Sequence, residues 1–146
     1  MATNMIRKYS ENLVREWLVP AGTQSGTLVI EATSQRIGVT LTARGDSTKS
    51  YVLPNGQTLS GIPNGGVSAR ATDSTVATDG TWAFAVAGIV NGGTGSGEGG
   101  TPKGTAVYRV AADGTLTLTA STNLFIGRVD DGTIVGGFAP IQIGIS

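Results

Sequence analysis

Apolar positions along the chain fall in short runs of period two, punctuated by Gly, Asn and Asp, which is the pattern of antiparallel strands joined by tight turns. Residues 27–32 and 36–43 are rich in β-formers, and residues 50–53 follow a loop at 44–49. In the run 81–90, Trp82, Phe84 and Val86 alternate with Ala83, Ala85 and Ala87. One face there carries bulk while the other lets a neighbour approach closely. Asp79-Gly80 and Asn91-Gly92 bracket this run. Across 114–120, Leu116 and Leu118 alternate with Thr115, Thr117 and Thr119, a half-buried strand with hydroxyls outward. Residues 123–129 and 133–138 flank Asp131-Gly132 as a hairpin, and Ile141, Ile143 and Ile145 alternate into a closing strand. Asn55-Gly56, Asn64-Gly65 and Asp113-Gly114 mark further turns, because these residues tolerate the positive φ that tight turns demand. The fold expected is all-β: a single small antiparallel β-sandwich or barrel over residues 20–146.

Two stretches depart from this pattern. Residues 1–19 concentrate charge (Arg7, Lys8, Glu11, Arg15, Glu16) among Ile6, Tyr9, Leu13, Val14, Trp17 and Leu18, and read as an N-terminal arm. Ile6, Tyr9, Leu13 and Trp17 would line one face of a helix, yet the segment is short and Leu18-Val19-Pro20 ends it in an extended or turn geometry, so its conformation stays open. These four residues either pack on the chain's own core or dock on a partner. Residues 91–104, NGGTGSGEGGTPKG, are too Gly-rich to hold one conformation by themselves and read as a mobile loop. No repeat of fixed period is evident.

Composition narrows the function. The chain has 146 residues with no Cys and no His, which excludes disulfides, thiolate and imidazole nucleophiles, histidine proton shuttles and Cys/His zinc sites. Ten basic residues balance ten acidic ones, so nothing suggests nucleic acid or an anionic membrane as partner. Charged residues are 14% of the chain, against about a quarter in ordinary soluble domains, and Gly is 23 of 146. So little charge gives little repulsion between copies and suits a protein that ends packed against other protein. The first residues lack the apolar core of a signal peptide, so a cytosolic start is expected.

The remaining motifs favour bland readings. Gly95, Gly97 and Gly100 have G-x-G-x-x-G spacing, but Pro102 and a β run follow where a phosphate cradle needs a helix. Arg44-Gly45-Asp46 is a short match that Gly-rich loops produce by chance. Asp130-Asp131-Gly132 lacks the alternating acids of a calcium loop and reads as a turn. Paired-carboxylate hydrolysis would need two acids across a cleft, whereas Asp79, Asp113 and their like sit in turn contexts. Trp17, Trp82 and Tyr51 would be the candidates for a sugar-stacking platform, though Trp82 alternates as a core residue. No catalytic, cofactor-binding or metal residue is assigned, and no enzyme activity is expected.

The run 104–129, GTAVYRVAADGTLTLTASTNLFIGRV, resembles the capsid cement or head decoration proteins of tailed bacteriophages. The matching pieces are Gly104 to Tyr108, then Gly114 to Thr119, then Asn123, Ile126 and Gly127. Upstream, Val19-Pro20-Ala21-Gly22 with Ser25-Gly26, then Ile37-Gly38-Val39, and Ala85-Val86-Ala87-Gly88 look like the family's earlier strands, so the resemblance covers most of residues 19–140. Residues 44–66 and the Gly-rich loop look like insertions, and the arm is longer than the family's pattern. The resemblance implies a β domain clustered as homotrimers at three-fold or quasi-three-fold positions on the outer surface of a virion, clamping major capsid protein subunits. Ile6, Tyr9, Leu13 and Trp17 are then the candidate capsid-binding residues of an arm that orders on docking. The competing expectation is a receptor- or carbohydrate-binding β module of a virion appendage.

Overall fold

The computed structural model describes residues 4–7, 14–62 and 70–144. It is all-β, with antiparallel strand pairing and no helix among the described residues. The chain divides into two compact units, and the division cuts through the expected arm. β1 (Met5–Arg7) belongs to the second unit, while β2 (Val14–Leu18) opens the first. Each unit takes a strand from residues 1–19.

The first unit holds a four-stranded sheet in the order β2, β7 (Asp73–Ala77), β4 (Ile37–Thr40), β3 (Leu28–Ile30). A separate hairpin, β5 (Asp46–Val52) with β6 (Thr58–Ile62), turns at Asn55-Gly56 as the sequence suggests. The Asn64-Gly65 turn lies outside the described residues. Trp17, Val19, Val29 and Val76 form the buried cluster of this unit. Trp17 is 7% exposed. It fits because Gly38 lies beneath it: a Cβ added there would sit 3.1 Å from the Trp17 ring and collide with Val76.

The second unit holds a six-stranded sheet in the order β1, β8 (Gly80–Ala85), β14 (Phe138–Ile143), β12 (Leu124–Val129), β10 (Ala106–Arg109), β11 (Leu116–Thr117). A two-stranded ladder joins β9 (Gly92–Gly93) to β13 (Thr133–Ile134). Trp82, Val107, Ile126, Val129, Ile141 and Ile143 are buried in this unit, as their alternation requires.

The two sheets repeat one topology. The first unit's order β2, β7, β4, β3 corresponds to β8, β14, β12, β10, with the same chain order and the same antiparallel sense. Registers agree residue by residue: Leu18 opposite Asp73 matches Ala85 opposite Phe138, Thr40 opposite Val76 matches Val129 opposite Ile141, and Val29 opposite Gly38 matches Val107 opposite Gly127. Hydrogen bonds outside the ladders agree too. Val19 N donates to the Thr72 carbonyl (3.3 Å) as Val86 N does to Gly137 (3.1 Å), and Gly26 N to Thr40 (2.6 Å) as Gly104 N to Val129 (2.8 Å). Thr40 N donates to Thr27 and Val129 N to Thr105 (2.9 Å each), and Leu41 N to Thr75 and Asp130 N to Pro140 (2.8 Å each). Gly38 and Gly127 serve the same purpose, since a Cβ at either would press on the carbonyl of the equivalent neighbours Ala77 and Gln142. A fixed period hides this repeat because the units carry different insertions. The first inserts β5 and β6 between its last two strands, and the second inserts residues 91–104 and β11.

Residues 91–104, read from composition as a mobile loop, are tied down by hydrogen bonds. Gly100 N donates to Gly93 (3.1 Å), Thr101 N to Val90 (3.1 Å), Lys103 N to Thr94 (2.9 Å) and Thr94 N to Gly132 (3.0 Å). The buried Thr101 and Thr94 hydroxyls accept from Val90 N and Gly132 N. Glycine here serves close packing, because a Cβ at Gly100 would lie 2.6 Å from the Gly93 carbonyl oxygen.

Candidate functional site

The described residues of the expected arm do not form one apolar face. Of the two described candidates, Trp17 is a core residue of the first unit and Ile6 is exposed, at 48%, beside Met5 on the edge strand β1. Tyr9 and Leu13 lie outside the described residues. Trp17 cannot serve as a surface anchor without emptying the core it fills.

A different apolar cluster faces solvent at one end of the second unit. The Val135–Phe138 turn closes with two mutual backbone hydrogen bonds (3.2 and 3.0 Å), and the Asn91 side chain accepts from Gly137 N (2.9 Å). Val86 N also donates to Gly137, which ties the turn to the end of β8. This backbone network brings together Val135 (68% exposed), Phe138 (54% exposed) and the exposed Ala85. Isolated exposed apolar residues are ordinary, whereas a gathered set marks a contact surface.

The internal repeat builds the equivalent turn with different side chains, although Leu18, the counterpart of Ala85, is itself 71% exposed. At the equivalent turn of the first unit, Asp73 N donates to the Arg70 carbonyl (3.2 Å) just as Phe138 N donates to Val135. Arg70 thus stands in the place of Val135, and Asp73 in the place of Phe138. Arg70 is largely exposed, and its guanidinium Nε meets the buried Asp73 carboxylate at 3.1 Å, with the Thr72 hydroxyl donating to the same carboxylate (2.9 Å). The same turn is therefore built once with an ion pair and once with bare hydrocarbon. Sequence reasoning placed Phe138 within a strand run but gave no sign of its exposure, which emerges only from aligning the two units.

The other sequence candidates resolve as structural groups. Asp130 is buried and accepts from the Thr81 hydroxyl and from Asp131 N (2.8 Å), as a turn-stabilising carboxylate. Arg44 is half-buried, with Nε donating to the Thr72 carbonyl (3.1 Å), so the Arg44-Gly45-Asp46 tripeptide is woven into the first unit. Trp82 is fully buried, which removes both tryptophans from any sugar-stacking platform. Among the described residues no three acidic groups lie close enough to hold a metal ion.

Gly95, Gly97 and Gly100 line a cleft of about 650 Å³ with Thr94, Lys103 and Asp131. Lys103 Nζ and Asp131 Oδ2 pair at 2.6 Å across it, both half-exposed. The Glu98 carboxylate is tucked against Gly93 and accepts from Gly95 N (3.3 Å). A carboxylate inside the glycine loop opposes any phosphate there, and no helix follows it. Two exposed acids have perturbed carboxyls. Hydrogen bonds from the Ser34 hydroxyl and backbone hold Glu31 below its usual range, and those from Thr115 hold Asp113 below its own. Both act as turn caps. Comparison with family models, with curated proteins and with solved structures finds no match for this chain.

Proposed function

We propose that the chain is a structural, non-catalytic virion protein that decorates the outer surface of an icosahedral phage capsid and stabilises it by binding major capsid protein subunits. The observation that carries the proposal is the solvent-facing pair Val135 and Phe138, placed where the equivalent turn of the first unit has Arg70 and Asp73. Hydrocarbon kept in water at a position that accepts a charge has its use outside the folded chain. The near absence of charge and the strand motifs of residues 19–140 support the same reading. As homotrimers at three-fold or quasi-three-fold sites, each decoration would bind through several copies of one small contact, and avidity would multiply a modest affinity.

Docking therefore centres on the apolar end of the second unit, with Ile6 on the β1 edge as the described surface candidate from the arm, alongside Tyr9 and Leu13, which lie outside the described residues. The test is co-sedimentation with expanded heads lacking decoration, for the native chain and for Val135→Ser/Phe138→Ser. Saturable binding of the native chain with loss in the double variant supports the proposal. Equal binding by both removes this surface from it.

A further inference from the structure

We infer that β1 is an exchangeable strand and that the outer edge of β8 accepts residues 4–7 of a second copy of this chain. The inference concerns copies of the chain alone and goes beyond the capsid reading. It starts from the topology. β1 completes the edge of the second unit's sheet, yet the whole first unit separates it in sequence from every other strand of that sheet. The repeat shows that β1 is an addition: β2, β7, β4 and β3 make the same four-stranded core with no described strand beyond β2.

The hold of β1 is local. Two residues of β1 pair with β8, Met5 opposite Trp82 and Arg7 opposite Thr81, with a register shift between them. Just before the strand, Ala83 N donates to the Asn4 carbonyl (2.8 Å) and the Asn4 amide donates back to the Ala83 carbonyl (3.3 Å). Met5 and Ile6 remain 40% and 48% exposed, so a large part of each stays in water when the strand closes within one chain. Without it, the backbone of β8 beside the fully buried Trp82 would present an unpaired edge, which attracts another strand. The strand whose residues match that register is 4–7, and each neighbouring copy supplies one. Exchange leaves every contact at the β8 edge unchanged, so it adds an intermolecular link at low energetic cost.

The absence of cysteine makes the test clean. Asn4 and Ala83 are joined by hydrogen bonds of 2.8 and 3.3 Å just beyond the Met5–Trp82 pair, and partners across an antiparallel pair lie about 5.5 Å apart at Cα, within the reach of a disulfide. Full-length chains carrying either Asn4→Cys or Ala83→Cys are co-refolded, oxidised and run on a non-reducing denaturing gel. A covalent heterodimer of the two variants, lost on reduction, is the expected result. No heterodimer from the mixture, with an intramolecular bond in the double variant, overturns the inference. A second measurement guards against misfolding of the variants: light scattering is expected to give a multiple of the monomer mass for the native chain and the monomer mass after removal of residues 1–7. An unchanged mass after that removal, or a monomeric native chain, overturns it equally.

Discussion

Truncating Trp17 separates a core residue from a docking anchor. The side chain is 93% out of water by its 7% exposure, packed with Val19, Val29 and Val76 over Gly38. An aromatic of this kind buries about 150–250 Å², and at about 25 cal/mol per Å² its removal from water is worth roughly 4–6 kcal/mol. Measured truncations of buried Phe and Trp to Ala cost about 3–5 kcal/mol, since partial collapse of the cavity offsets some of the loss. We expect Trp17→Ala to destabilise the first unit by about 4 kcal/mol. Ile6→Ala, at a half-exposed edge position, is expected to change stability by less than about 1 kcal/mol. Urea unfolding followed by far-UV circular dichroism gives the magnitude, and amide exchange on β7 assigns the loss to the first unit. A loss under about 1 kcal/mol for Trp17→Ala, with β7 amides protected as before, would refute the packing argument.

Other expectations follow from the same geometry. Gly127→Ala drives a Cβ into the Gln142 carbonyl and is expected to cost about 1–3 kcal/mol, with Gly38→Ala behaving alike against Val76 and Ala77, both read by thermal unfolding. Asp130→Ala leaves the buried Thr81 hydroxyl without its carboxylate acceptor and is expected to lower stability by about 1–3 kcal/mol in urea titrations. Glu31 and Asp113 have lowered folded-state values, so the stability they lend is full above the ordinary carboxylate range and disappears as pH falls through the lowered values. Carboxyl carbon NMR titration should place both midpoints below those of unstructured peptides, and Asp113→Asn should abolish the pH dependence of the Thr115 amide shift.

Much of the sheet was legible because strand periodicity is a local property. The alternation at 81–90 and the isoleucines Ile141 and Ile143 correspond to β8 and β14, whereas the hairpin expected across Asp131-Gly132 does not form, because β12 pairs with β14 and β13 with β9. The fate of residues 1–19 was not legible, since a short amphipathic stretch serves a helix face, an edge strand or a core strand equally well. Here long-range pairing decided it, sending Met5–Arg7 to β8 and Val14–Leu18 to β7. The glycines of 91–104 misled for a related reason: composition reports chain entropy, while the packing of Gly100 on Gly93 depends on contacts no local window contains.

The repeat left a faint trace in Gly26-Thr27-Leu28-Val29 with Ile37-Gly38, and Gly104-Thr105-Ala106-Val107 with Ile126-Gly127. Both glycine pairs do the same work, the first through positive φ at Gly26 and Gly104, the second through close approach of neighbouring backbone. Unequal insertions destroyed the period, so only strand register recovered the correspondence. The apolar end was illegible for the opposite reason, because Val135 and Phe138 look like ordinary core residues until Arg70 and Asp73 are seen at the equivalent positions.

The central claim, the capsid-decorating role proposed above, is tested most directly by adding the purified native chain to expanded phage heads that lack decoration, and measuring the bound stoichiometry by co-sedimentation. The account expects saturation at a small whole-number ratio to major capsid protein, with binding abolished in Val135→Ser/Phe138→Ser while its circular dichroism stays native. Absence of saturable binding by the folded native chain would contradict it.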